Sequence, residues 1–130
     1  MIILTIRTDK PEAEIGLYDD EEQLGYTKWE AHRQLSATIH VKIKELLDAS
    51  EKDWEDIEGV ALFKGPGSFT GLRIGFSVSN TIAFAQNISI VSESGDDWIH
   101  KALERLKKGE NEQVAMPEYG APANTTKPRK

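Results

Sequence analysis

Lys64-Gly65-Pro66-Gly67-Ser68-Phe69-Thr70-Gly71-Leu72-Arg73-Ile74-Gly75 is the stretch on which the reading of the fold turns. It follows the apolar run Val60-Ala61-Leu62-Phe63 and opens a segment of helical pattern. A strand feeding a glycine-rich turn that launches a helix points to an α/β layer. Such turns can carry function, because the first amides of a helix are unpaired and its dipole is positive there. This turn does not match a P-loop, which needs spaced glycines followed by Lys and Ser or Thr. Pro66 also stands where a backbone amide would be wanted. No G-x-G-x-x-G fingerprint occurs either. Two roles stay open for Gly65, Pro66, Gly67, Ser68 and Thr70. One is a phosphate cradle; the other, which the residues favour, is a tight turn with a close helix–strand approach.

Upstream, residues 2–8 are apolar and β-rich, 12–18 alternate at Ala13, Ile15 and Leu17, and 23–29 carry Leu24, Tyr26 and Thr27. Short connections, including the charged turn Asp19-Asp20-Glu21-Glu22, make these an antiparallel meander. Leu35, Ile39, Ile43, Leu46 and Leu47 then recur at helical spacing and predict a helix over 31–49. A short helical turn is expected near Trp54 and Ile57, and a buried strand over 60–63. The second long helix is expected over 70–86, capped by Ser68 or Thr70. After Asn87, residues 88–91 predict a last short strand. Trp98, Ile99, Ala102, Leu103 and Leu106 predict a third helix over 96–108, stopped by Lys107-Lys108-Gly109.

The order βββ-α-β-α-β predicts one ribonuclease-H-like α/β layer. Its mixed sheet has an antiparallel meander followed by α-β-α-β, with right-handed crossovers. Residues 1–108 are expected to form a single lobe with a C-terminal helix. Residues 109–130 hold three of the five prolines and are expected to form an extended tail docked over 114–119.

Composition bounds the function. A chain of 130 residues supports one core. With 22 acidic and 16 basic side chains, net charge −6, a broad nucleic-acid-binding face is not expected, although Lys127-Pro128-Arg129-Lys130 is basic. No run approaches the ~20 apolar residues of a membrane span. The first residues lack the basic leader and cleavage-type site of a signal peptide. The absence of cysteine excludes disulfides and thiol catalysis and fits a cytoplasmic protein.

The second long helix carries a stripe of small residues, Gly71, Gly75, Ser79 and Ala83, beside the bulkier Leu72, Phe76, Val78 and Ile82. Interior glycine costs about 1 kcal/mol against alanine, so Gly75 calls for a compensating contact. Close approach of another helix supplies one, either the 31–49 helix of the same chain or a helix of another protein. Other candidates are weaker. His32 and His40, eight residues apart, are too far apart to chelate one metal together and read as surface residues. His100 has no acidic or cysteine partner nearby in sequence. Asp9 is a candidate metal carboxylate without a second one at a recognisable spacing. The acidic runs read as solvated loops, and Ser68 lacks the context of a nucleophile elbow. No catalytic constellation emerges.

The run from Gly65 to Gly75 closely resembles the signature of the TsaB (YeaZ) family. The resemblance extends to His32 with the helix after it and to Asn87-Ile88-Ser89-Ile90-Val91, and covers about residues 1–93. It implies the N-terminal half of the ASKHA (actin-like ATPase) fold, which is itself ribonuclease-H-like. It also implies a non-catalytic partner in bacterial tRNA N6-threonylcarbamoyladenosine synthesis. Family members pair with TsaD, the transferase that carries metal and nucleotide, and TsaE, an ATPase, joins that pair. Homodimers are the other implied pairing, with tRNA met only through the complex. Carried over, the pairing surface falls on the two long helices, at His32, Leu35, Ile39, Ile43 and Leu46, and at Gly71, Leu72, Gly75, Phe76, Ser79 and Ala83.

Two departures qualify the likeness. The family's first strand usually reads Ile-Asp-Thr, where this chain has Ile6-Arg7-Thr8. A full member has a second lobe that is not in this sequence. Yet Met116-Pro117-Glu118-Tyr119-Gly120 through Lys130 resembles the family's C-terminal tail, so a one-lobe short form is expected. An ASKHA nucleotide site lies between two lobes, so no cofactor of its own is expected, with ATP and metal on partner proteins. The alternatives are a residual glycoprotease-like hydrolase, disfavoured by the missing nucleophile–base pair, and a purely structural homodimer.

Overall fold

The first strand, β1 (Ile2–Arg7), decides how the layers stack. Its side chains alternate between two clusters: Ile2, Leu4 and Ile6 enter one and Ile3 the other. A strand covered on both faces reads as a continuous apolar run, which is why Met1-Ile2-Ile3-Leu4 shows no polar alternation. The computed structural model describes residues 1–117. After β1 come β2 (Glu12–Asp19), β3 (Glu22–Glu30), α1 (Leu35–Ala49), β4 (Gly59–Phe63), α2 (Phe69–Gln86), β5 (Ser89–Glu93) and α3 (Trp98–Lys107). Short 3-10 turns lie at His32–Gln34 and Trp54–Asp56.

The sheet runs β3-β2-β1-β4-β5. The first three strands pair antiparallel, with Leu4 opposite Leu17, and β1, β4 and β5 run parallel, with Leu4 beside Val60 and Val60 beside Ile90. This is the mixed, ribonuclease-H-like sheet predicted from the element order. Helices α1 and α2 fill one face, burying Ile39, Ile43, Leu72 and Phe76 against the sheet. Helix α3 covers the other with Trp98, Ala102, Leu103 and Leu106, and the Trp98 ring meets Phe63 edge-on at 5.7 Å. Among the described residues no helix is long and apolar enough to cross a membrane.

Several element ends differ from the sequence reading, among them β5, which is Ser89–Glu93 rather than 88–91, and α3, which is Trp98–Lys107 rather than 96–108; at two helix starts the reason is local. The α1 helix starts at Leu35 rather than 31, because His32 takes a left-handed φ of 47° and its N–H, like that of Ala31, donates to Pro11 O. The α2 helix starts at Phe69 behind Ser68, whose Oγ accepts the Gly71 N–H, so Thr70 lies inside the helix. At the other end Asn87, at φ 56° and ψ 51°, is the left-handed stop.

Residues 110–117 run beside the outer edge of β5 without regular structure. Ala115 is buried in the α1–α2 core, whereas Val114 and Met116 are 63% and 70% exposed. Docking therefore falls on the small side chain and not on the larger ones expected to anchor the tail. Tyr119, and the rest of the tail over 118–130, lie outside the described residues.

Candidate functional site

The glycine-rich turn folds inward against the end of β1. Ser68 N–H donates to Asp9 O at 2.9 Å, and Lys64 N–H donates to Glu93 O at 3.0 Å. A Cβ on Gly67 would meet Asp9 Cβ at 2.4 Å and Asp9 O at 2.8 Å. Ser94 Oγ donates to Gly65 O from the β5 side. Strand backbone thus closes the turn on two sides, at Asp9 and at Glu93, and the approach at Gly67 is too close for a Cβ.

Asp9, the candidate metal carboxylate, is buried and committed elsewhere. Its Oδ1 accepts from Arg7 Nε at 2.8 Å and its Oδ2 from Arg7 Nη2 at 3.2 Å. Arg7 also lies 3.9 Å above the Phe63 ring, and its pairing with Asp9 raises its pKa above the ordinary arginine value. The residue that departs from the family's first strand therefore neutralises the carboxylate beside it. Among the described residues no group of three or more His, Cys, Asp or Glu side chains is placed to hold a metal ion. Both His32 and His40 are exposed, and His32 Nε2 faces Glu30 Oε1 at 3.0 Å. His100 does have an acidic neighbour, contrary to its reading from sequence: Glu104, one helical turn on, lies 3.6 Å away.

The small-residue stripe has its partner inside the chain, and that partner is a strand end rather than a helix. A Cβ on Gly71 would stand 2.2 Å from Thr8 O, and one on Gly75 would stand 2.1 Å from Thr8 Oγ1. Thr8 Oγ1 donates to Gly71 O at 2.8 Å across the same gap. Ser79 and Ala83 continue the stripe into the core.

This corrects the pairing surface carried over from the family. Leu35, Ile39, Ile43 and Leu46 on α1, with Leu72, Gly75, Phe76, Ser79 and Ala83 on α2, are buried within the chain, and Gly71 faces Thr8. The apolar stripe of an amphipathic helix goes to its own sheet first, so none of these side chains is presented to a partner. Of the residues assigned, His32 alone is exposed.

The outward faces of the same helices are what a partner would meet. On α2 they carry Thr70, Arg73, Ser77, Thr81 and Phe84, and Arg73 is the single charged residue in the helix's 18. Phe84 is 89% exposed, Phe69 is 55% exposed, and Arg73 lies 5.3 Å over the Phe69 ring. Val41 is half exposed on α1. A solvent-facing helix normally carries charge on its outer side, so a nearly neutral face bearing an open phenylalanine is anomalous. Sequence reading missed Phe84; its signal was its place off the small-residue stripe in a helix with almost no charge. Beside the start of α2 a cleft of about 340 Å³ opens, lined in part by Lys10, Pro11, Arg33, Ser68 and Ile74.

Against this geometry, the family model described as TsaD, tRNA N6-adenosine threonylcarbamoyltransferase, matches residues 23–106. The chain belongs to this TsaD family. A tRNA N6-adenosine threonylcarbamoyltransferase of Nitrosomonas eutropha is 29% identical over 108 residues, 71% of this chain and 32% of the relative. The tRNA threonylcarbamoyladenosine biosynthesis protein TsaB of Buchnera aphidicola is 27% identical over 93 residues, 72% of this chain and 42% of the relative. YeaZ from Pseudomonas aeruginosa superposes with a TM-score of 0.67 at 22% identity, over 72% of this chain and 43% of that one. The likeness to TsaB and YeaZ read from the glycine-rich run therefore stands, and the chain is a TsaB-type member of the TsaD family. It spans less than half the length of each of these relatives.

Proposed function

We propose that this chain is a non-catalytic TsaB-type subunit in tRNA N6-threonylcarbamoyladenosine modification, pairing with a TsaD-type transferase in the cytoplasm. The outward faces of α2 and α1 are the contact. In this reading the chain carries no cofactor of its own. Nucleotide and metal belong to the transferase and to a TsaE-type ATPase that joins the pair, and tRNA is met only through the assembly. The chain acts by holding its partner's working form.

The observation that carries the reading is the outer side of α2: one charge in 18 residues, with Phe84 almost fully exposed. Interface centres are poor in charge and rich in aromatic residues. The engaged state of the acid–base candidates supports a non-catalytic role. Arg7 holds Asp9, Glu30 faces His32, and Ser68 Oγ serves as a helix cap. The test is reconstitution of threonylcarbamoyl transfer to tRNA from purified components. The chain alone should modify no tRNA, and adding it should raise the rate of the TsaD-type protein. Modification by the chain alone, or a partner rate indifferent to it, would count against the reading.

A further inference from the structure

Beyond α3 the chain does not trail away. Residues 110–116 form a strap tied at three places. Arg105 on α3 makes the first tie: its Nε meets Glu110 Oε1 at 2.7 Å, and its Nη1 meets Glu112 Oε2 at 2.9 Å and Ser92 O at 2.9 Å. The second tie lies along the open edge of β5, whose backbone would otherwise be unpaired. Glu112 N–H donates to Ile90 O at 2.8 Å, Asn111 Oδ1 accepts from Ile90 N–H at 3.0 Å, and Glu112 Oε2 accepts from Ser92 N–H at 2.8 Å. The third tie is on α2. Asn80 Nδ2 donates to Ala115 O at 3.1 Å, and Asn80 Oδ1 accepts from Ala115 N–H at 2.9 Å.

The register these ties enforce is the informative point. In Val114-Ala115-Met116 the small residue is inward, 2% exposed, and the two large apolar residues are outward. A strap that served only to cover the core would bury valine or methionine, since burial of such a side chain is worth about 1.5–3 kcal/mol. Instead the polar ties hold Val114 outward. It lines, together with Phe84 and Ile88, a depression of about 460 Å³ whose lining residues include no charged side chain. Asn80 lies on α2 between Ser77 and Thr81. At Val114 the strap thus adjoins the outer face of α2 at Phe84.

We propose that this strap completes the pairing surface, with Val114, which lines one depression with Phe84, and the exposed Met116 contacting an uncharged, apolar patch of the TsaD-type partner. This rests on the pairing proposed above. Arg105 and Asn80 act as positioning residues: they touch no partner and fix the strap that does.

The test measures binding of the full chain to the TsaD-type protein by titration calorimetry, with melting temperature as the control for folding. Val114→Asp and Met116→Asp, at exposed positions, should each weaken binding at least tenfold with an unchanged melting temperature; Val114→Ser should do so more mildly. Arg105→Ala should weaken binding and also speed hydrogen exchange at the Ile90 and Ser92 amides, which a contact residue would not do. If both aspartate variants bind like the unaltered chain while Ser77→Arg does not, the strap inference fails and the pairing stands. If the unaltered chain does not bind, both fail. If the same variants dissolve a dimer of the chain instead, the occupant is a second copy and the proposal is overturned.

Discussion

Replacing Gly75 with alanine adds one methyl group at the closest point between α2 and the end of β1. In an unconstrained helix interior that change is favourable by about 1 kcal/mol. Here the new Cβ would stand 2.1 Å from Thr8 Oγ1, 3.2 Å from Thr8 Cβ and 3.3 Å from Thr8 Cγ2. Rotation about χ1 of Thr8 exchanges which branch meets the methyl but does not remove the branch. It also gives up the 2.8 Å bond from Thr8 Oγ1 to Gly71 O, a loss of about 1 kcal/mol. Overpacking a filled site costs about 1–3 kcal/mol. With the helix-propensity gain set against these losses, Gly75→Ala should destabilise the protein by about 1–3 kcal/mol. Urea unfolding followed by tryptophan fluorescence should show a lower midpoint at an unchanged slope. A Thr8→Ala background removes both branch atoms and leaves only the Cβ at 3.2 Å, so the double-mutant cycle should show a coupling of at least about 1 kcal/mol. Gly71→Ala should be harsher, because its Cβ would meet the Thr8 carbonyl oxygen at 2.2 Å, a backbone atom that cannot rotate aside. A stabilising Gly75→Ala, or an effect indifferent to Thr8→Ala, would refute the β1 contact and return the stripe to a partner outside the chain.

Arg7→Ala leaves the buried Asp9 carboxylate without its partner and should cost about 2 kcal/mol; adding Asp9→Asn should recover part of the loss in thermal melts. Asn87→Val forces a β-branched residue into the left-handed region at φ 56°. It should cost about 1–2 kcal/mol in urea unfolding, whereas Asn87→Gly should be neutral or slightly stabilising. The Tyr26 phenol is pushed up to about 12 by desolvation first, then by its hydrogen bond to Glu14 and the neighbouring carboxylates. A raised folded-state value means its contribution is intact below pH 10 and lost as pH rises toward 12; ultraviolet titration should find that late tyrosine and lose it in Tyr26→Phe.

Much of the layer was legible because burial on two faces leaves its mark on a sequence. The apolar run of β1, the helical spacing of Leu35, Ile39 and Ile43, and the glycine-rich turn after β4 each specify a local geometry that the fold then uses. The proposed pairing surface was not legible, and for a physical reason. Periodicity identifies which helix face is apolar, and that face belongs to the chain's own sheet; the side proposed to meet a partner is marked only by missing charge and by Phe84. Four-residue spacing of small side chains likewise reports a close approach without naming what approaches, here Thr8. The strap was the least readable element. Its ties join Arg105 to Glu112, Asn111 to Ile90 and Asn80 to Ala115, pairs that no local pattern links. Arg7 showed in sequence only as a departure from the family's strand, and its bond to Asp9 gives that departure a cause.

The most direct measurement is native mass spectrometry of the full chain co-expressed with the TsaD-type transferase from the same source. Pairing through the outer face of α2 predicts a one-to-one hetero-complex that Ser77→Arg or Phe84→Asp dissolves while the melting temperature of the chain stays unchanged. A transferase that elutes alone, or a complex untouched by either substitution, would contradict it.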